Sequence, residues 1–160
     1  MNGAHLHLIL NHFPLIGGLI SLLLLAAGLL IRKDLLVHTG LVLLVASAAM
    51  TYPVFETGEG AEEIVEQMAG ANHDAVGALI HEHEEASEKA LTGMMVLGAV
   101  AGGTILIGRK NNVRLRILSV FVLVGGLAVL GLMANAAQLG GQISHPEVRG
   151  NFVVPAEASQ

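Results

Sequence analysis

The chain contains eight histidines and no cysteine. The histidines are therefore the side chains best suited to bind a metal or to exchange protons. Imidazole binds iron, zinc or copper and exchanges protons near neutral pH. The lack of cysteine excludes thiolate-held iron–sulfur clusters, haem attached through a CxxCH motif, and blue copper sites. Any metal centre must therefore use histidine, carboxylate, methionine, amide or backbone groups.

Three of the histidines stand out by their local sequence. His12 follows Asn11 at the start of a long apolar stretch, where polar groups are energetically costly and usually functional. His145 precedes a proline that stiffens the turn presenting it. His81 lies four residues before Glu85, so the two side chains share one helix face. These three histidines are the first candidates as cofactor or metal ligands.

The remaining polar residues near these histidines form a second group of candidates. For a cofactor they are Asn11, His5, Gln142 and Arg149, and for a metal ion Glu85, Glu59 and Glu63. His7, His73 and His83 are expected to be solvated or hydrogen-bonded, and His38 lies apart near the other end of its span. The pattern around His81 and His83 has polar residues on every side, so it leaves open which of the two faces inward.

The elements that must position these residues are membrane spans. The chain of 160 residues is 53% hydrophobic and 13% charged, with a mean hydropathy of +0.67, whereas a soluble domain has about 25% charged residues. Four apolar stretches, about 15–31, 35–52, 91–108 and 117–139, approach the ~20 residues that a helix needs to cross a bilayer. The sequence predicts an all-α integral membrane four-helix bundle with up-down-up-down topology, forming one domain over residues 1–160 in the lipid bilayer.

Several helices are expected to project beyond the membrane. The predicted helices cover about 4–31, 35–52, 72–108 and 114–139, with an outer segment at 53–90. Pro53 is expected to end the second span and to be followed by a short amphipathic outer helix. No proline interrupts 72–108, so the third span is expected to extend outward as one helix. Pro14 predicts a kink or a helix start within the first segment.

The basic residues predict the orientation in the membrane. Six of the eight lie in the two short connections between spans: Arg32, Lys33, Arg109, Lys110, Arg114 and Arg116. The positive-inside rule assigns these connections to the cytoplasm. Both termini and the acidic outer segment are then outside, on the periplasmic side of a bacterial inner membrane. The basic residues are too few, and too concentrated in these connections, for a nucleic-acid surface.

Four segments spread over the chain resemble the signatures of a family of small bacterial four-helix membrane proteins of unassigned function. They are LHLILNHFPLIG, FETGEGAEEIVE, HEHEEAS and GGQISHPEVRG. More distantly, the chain is similar to membrane proteins in which an HFP motif opens the first span and which are linked to respiratory redox proteins. The resemblance implies a haem or another metal. Carried over by motif, the implied functional residues are Asn11, His12, Pro14, Glu59, Glu62, Glu63, His81, Glu82, Glu85, His145 and Glu147.

Three functions remain open on the sequence alone. The first is a b-type haem protein that carries electrons at the outer face to a respiratory or other redox membrane partner, with His12 and either His81 or His145 as ligands. The second is a non-haem iron, zinc or manganese site of histidine and glutamate. The third is a structural or assembly subunit of a membrane complex, and homo-oligomers fit any of the three. Loss of His12 is expected to abolish cofactor retention, and loss of His83 to leave it intact.

The predicted orientation can be tested by cysteine labelling, since the natural chain has no cysteine. Lys110→Cys is expected to resist a membrane-impermeant maleimide in intact cells, because it lies in a predicted cytoplasmic connection. Glu82→Cys, in the predicted outer segment, is expected to react and serves as the control. Labelling of position 110 from outside would overturn the orientation and the outer location of the histidines.

Overall fold

The protein is almost entirely helical. The computed structural model describes residues 3–69 and 73–150, and no strand occurs within these ranges. The helices are α1 (Gly3–Leu10), α2 (His12–Leu30), α3 (Asp34–Ala69), α4 (His73–Gly108) and α5 (Asn112–Ser144), followed by a short 3₁₀ turn, Pro146–Val148. Because α1 and α2 together form the first of four segments, the predicted all-α four-helix bundle is confirmed.

The four segments have the length and the surface of membrane spans. Gly3–Leu30, Asp34–Val65, Val76–Gly108 and Asn112–Ser144 are each long and apolar enough to cross a bilayer. At most 39% of the residues in the most apolar window of any segment are buried. Large apolar side chains therefore cover the outside, including Leu23, Phe121 and Val124, which are each at least 60% exposed. Such a surface suits lipid rather than water, as in a multi-pass membrane protein.

Consecutive segments run antiparallel and pack side by side. α2 packs on α3, α3 on α4 and α4 on α5, while contacts between α2 and α5 close the bundle. The short connections at 31–33 and 109–111 lie at one end, called here the loop end. α1 packs on α3 at the opposite, projecting end. The interior between them is filled by apolar side chains, among which Leu25, Leu41, Leu44, Met94 and Leu115 are fully buried.

The expected break at Pro53 is wrong. α3 continues through this proline as one helix of 36 residues, so the predicted separate amphipathic helix is the outer part of α3. Proline removes one helical hydrogen bond, the one that the carbonyl of Ala49 would accept. The neighbouring residues Thr51 and Val54 are both buried. Packing on either side of Pro53 therefore holds the helix together across the missing bond.

The predicted helix start near Pro14 does occur. α2 begins at His12, and Asn11 separates it from α1, with its N–H donating to the carbonyl of His7 at 2.9 Å. Pro14 is thus the third residue of α2. The first N–H groups of a helix have no intrahelical acceptor, so a proline here removes no hydrogen bond. The chain can change direction slightly at Asn11 while both helices remain in one segment.

A polar clasp ties the two short connections together at the loop end. The Asp34 carboxylate accepts hydrogen bonds from Arg116 Nε and Asn112 Nδ2, both at 2.7 Å. Arg116 Nη2 also donates to the carbonyl of Arg32 at 3.0 Å. Arg32 itself has φ of 55°, a left-handed conformation that ends α2. The start of α5 is therefore fixed against the α2–α3 connection.

Glycines permit very close approaches between helices. A Cβ on Gly98 would lie 2.5 Å from the Cβ of Ala48, so α3 and α4 meet there almost backbone to backbone. Gly17 faces the Ser47 hydroxyl in the same way, and Gly126 faces Leu22. Other glycines of the spans, Gly18, Gly103 and Gly131, have nothing within 4 Å of such an added atom.

Gly98→Ala is expected to destabilise the bundle by about 1–3 kcal/mol, the usual cost of overpacking, because α3 and α4 would have to separate. Gly103→Ala, five residues along the same helix, is the matched control. It is expected to be neutral or stabilising, since alanine favours a helix over glycine by about 1 kcal/mol. Thermal unfolding in detergent measures both. Equal stability of the two variants would show that the contact at Gly98 is unimportant.

Candidate functional site

The three histidines favoured by the sequence all lie on the surface. His12 is exposed at the start of α2. The side chains of His81 and His145 are 74% and 65% exposed. None of the three is buried, so they do not line a common interior site. Their role as ligands stays a prediction that the packing of the bundle does not favour.

His81 belongs to a row of charges along the outside of α4. Its Nε2 lies 3.5 Å from Glu85, four residues on, and its Nδ1 lies 3.9 Å from Glu84. Glu85 also accepts a hydrogen bond from Lys89 at 3.1 Å. The predicted sharing of one helix face by His81 and Glu85 is thus present. That face points away from the bundle, where exposed ion pairs contribute little to stability.

His145 and Arg149 close the end of α5. His145 Nδ1 lies 2.9 Å from the carboxylate of Glu147. Arg149 Nε donates to the carbonyl of Gln142 at 2.7 Å, and its Nη2 lies 3.4 Å from the carbonyl of Ile143. These contacts satisfy carbonyls that the last turn of a helix leaves without partners. The guanidinium predicted to contact a cofactor is therefore occupied in capping the helix.

The other predicted site residues are spread along α1 and the outer part of α3. Glu59, Glu63 and His5 are exposed. Asn11 is partly buried, and its side-chain oxygen is fully buried with no hydrogen-bond partner among the described residues. Within the described ranges, no group of three or more histidine or carboxylate side chains is arranged to hold a metal ion. The side chain of His73 lies outside the described part of the chain.

His7, which the sequence predicts to be solvated or hydrogen-bonded, is hydrogen-bonded and half-buried between α1 and α3. Its Nδ1 lies 3.1 Å from the carbonyl oxygen of Val54 and 3.2 Å from the Thr57 hydroxyl oxygen. The Thr57 hydroxyl donates its own hydrogen to the Val54 carbonyl at 2.7 Å. Both neighbours of Nδ1 are thus acceptors, so Nδ1 must carry the proton. The neutral ring then presents an unprotonated Nε2.

His83 is bound in the same manner between α4 and α5. It is half-buried, and its Nδ1 lies 2.9 Å from the carbonyl oxygen of Ala136. A carbonyl only accepts hydrogen bonds, so Nδ1 is the donor and Nε2 is again unprotonated in the neutral ring. The structure thereby decides the choice between the two histidines of HEHEE: His83 faces the bundle and His81 faces away.

The two half-buried imidazoles lie toward the projecting end of the bundle, His7 in α1 against α3 and His83 in α4 against α5. A ring whose Nδ1–H is held by a backbone carbonyl is the usual form of a metal-ligating histidine, because the bond fixes the tautomer and raises the basicity of Nε2. His38 Nδ1 also contacts a carbonyl, that of Asp34, but within its own helix at the loop end.

A signal for His83 was present in the sequence. Ile80, Ala86, Ala90 and Met94 are all buried, and they recur at helical spacing on one face of α4. His83 lies within this stripe, three residues after Ile80 and three before Ala86. Tracing the apolar stripe outward from the membrane would have placed His83 inside. No comparable stripe marks His7, since α1 has no buried residue.

The contact between His145 and Glu147 can be tested by titration. The pKa of the Glu147 carboxyl lies below its usual value, because the residue's own backbone N–H and then the His145 ring hydrogen-bond the carboxylate. His145→Ala is expected to raise this pKa toward that of an ordinary glutamate, as measured by NMR of the labelled carboxyl carbon. His81→Ala is the control and should leave it unchanged. An unaltered pKa in the first variant would show that the His145 contact is not formed in solution.

Comparison with known proteins leaves this geometry to be judged by itself. No protein-family model, curated protein or solved structure matches the chain. The features that bear on function are the membrane spans and the half-buried imidazoles of His7 and His83.

Proposed function

We propose that this protein is a membrane-bound b-type haem protein that carries electrons, with His7 and His83 as the residues that would hold the haem iron. The observation that supports this proposal is the pair of half-buried imidazoles, each held through Nδ1 by a carbonyl of the neighbouring helix. A porphyrin supplies most of the ligands of its iron, so the protein would need to add only two imidazoles. A non-haem ion would draw further ligands from the protein.

The surroundings of the His83 ring suit an apolar prosthetic group. Ala86 of α4 and Met133 and Ala136 of α5 are all buried. The unpartnered side-chain oxygen of Asn11 lies one helical turn beyond His7 and offers a polar contact to a bound molecule. When bound, a haem would supply reversible one-electron transfer. The residues of the chain would hold the ligand rings in place and limit the access of water.

The location of the pair along the helices supports electron transfer at one face of the membrane. His83 precedes the end of α4 at Gly108 by 25 residues, or about 38 Å of helix. His7 precedes the end of α2 at Leu30 by 23 residues, or about 35 Å. Both distances exceed the ~30 Å thickness of the hydrocarbon core. If the helix ends lie at one surface of this core, both rings therefore lie beyond its opposite surface.

The basic residues of the two short connections predict on which side of the membrane this face lies. With the loop end in the cytoplasm, as the positive-inside rule requires, His7 and His83 lie at the outer face of a bacterial inner membrane. Both termini are then outside. We propose that a respiratory or other redox protein of the same membrane exchanges electrons with this site.

The proposal predicts the absorption spectrum of the protein purified in mild detergent. The natural chain is expected to show a Soret band, with α and β bands after reduction by dithionite. His7→Ala and His83→Ala are each expected to lower the haem content about tenfold or more, since even an outer partner of a ligand contributes that much to retention. The matched controls, His12→Ala and His81→Ala, alter exposed rings on the same two segments and should retain haem.

Each outcome separates the proposal from its alternatives. Haem retained in the His7→Ala, His83→Ala double variant would remove this pair as the ligands. Iron, zinc or manganese found by elemental analysis without a Soret band would favour the non-haem site. A protein that binds neither, even after reconstitution with haemin, would favour a structural subunit.

A further inference from the structure

The imidazoles of His7 and His83 rest on the same local arrangement in two different helices. Each ring contacts the carbonyl of one residue and lies against a glycine four residues later. The pairs are Val54 and Gly58 in α3 for His7, and Ala136 and Gly140 in α5 for His83. In an α-helix the carbonyl of residue i accepts the N–H of residue i+4, so the two positions adjoin along the helix surface. A side chain at i+4 stands beside the space from which an outside donor reaches that carbonyl.

The two glycines differ in how closely the ring approaches them. A Cβ added to Gly140 would lie 3.0 Å from Cε1 of His83, 3.4 Å from Nδ1 and 3.5 Å from Nε2. The same atom on Gly58 would lie 3.6 Å from Cε1 of His7 and 3.8 Å from Nδ1. The second set is ordinary van der Waals contact. The first is tighter, and an alanine there would meet three atoms of the ring at once.

We propose that Gly140 is a positioning residue for His83. Its missing side chain allows the ring to lie on α5, to donate from Nδ1 to the Ala136 carbonyl and to present Nε2 for binding. Gly58 serves His7 in a looser manner that tolerates alanine. A role of Gly140 in haem binding rests on the proposed function. The tautomer of His83 can be measured whether or not the protein binds haem.

The structure also explains how an alanine at this position would act. The ring of His83 is joined to the backbone by rotatable bonds, so it would turn aside by a few tenths of an ångström or more. A turn of the ring lengthens or breaks the 2.9 Å bond from Nδ1 to Ala136. Without that bond nothing on α5 favours the Nδ1–H form, and the ring becomes free to carry its proton on Nε2.

The test is ¹⁵N NMR of the full-length protein, labelled at histidine and kept reduced in detergent, because the ring nitrogen shifts distinguish the two tautomers. His7→Gln and His83→Gln assign the signals. The natural protein is expected to show the Nδ1–H form at both rings. Gly140→Ala is expected to abolish this signature at His83 alone. Gly58→Ala is expected to preserve it at both rings, as is Gly141→Ala, where an added Cβ has nothing within 4 Å.

Two results would overturn the inference: an Nε2–H form at His83 in haem-free natural protein, or an unchanged His83 signal in haem-free Gly140→Ala. Iron bound at Nε2 would itself leave the proton on Nδ1, so haem content is measured first and the tautomers are compared after haem is removed. A tautomer change without haem in any purified sample would support the positioning role of Gly140 while removing the proposed function. Haem in the natural protein, with the His83 tautomer unaffected by Gly140→Ala once haem is removed, would support the proposed function and remove the positioning role.

Discussion

A polar side chain buried between helices must find its hydrogen-bond partner within the protein, because burial removes the water that would otherwise supply one. In this bundle the partners are backbone carbonyls of neighbouring helices. His7 reaches from α1 to Val54 of α3, and His83 reaches from α4 to Ala136 of α5. Each bond joins two helices and orients one ring. The same contacts therefore hold the projecting end together and leave Nε2 of each neutral ring unprotonated.

These bonds depend on how closely the helices approach. Lipid gives little hydrophobic force between spans, so helices in a membrane associate through packing, and small residues allow the tightest packing. Gly98 brings α4 against Ala48 of α3, and a Cβ on Gly3 of α1 would lie 2.9 Å from the backbone of Gly60. The second contact lies one helical turn before His7. A glycine contact thus lets α1 lie close to α3 in the turn next to His7.

The sequence predicts the positions of the helices better than it predicts which side chains of each helix face the interior of the bundle. Apolar runs and the lack of proline defined the spans and the long α4, because length and hydropathy are summed over many residues. Pro53 does not end the helix, because one missing hydrogen bond weighs less than the burial of Thr51 and Val54, which only tertiary packing reveals. The position of His12 before a long apolar stretch is visible in the sequence, whereas the carbonyl of Val54 is brought to His7 only by the packing of α1 on α3.

The two ends of the molecule are held by different kinds of polar contact. At the loop end, Asp34 and Arg116 form a clasp between charged side chains that fixes the connections. At the projecting end, neutral imidazoles are held by carbonyls, which leaves one nitrogen of each ring unused by these bonds. About 35 Å of helix separates the two ends. A single redox centre at His7 and His83 would therefore exchange electrons with partners on its own side, and transfer across the hydrocarbon core would require a second centre elsewhere in a complex.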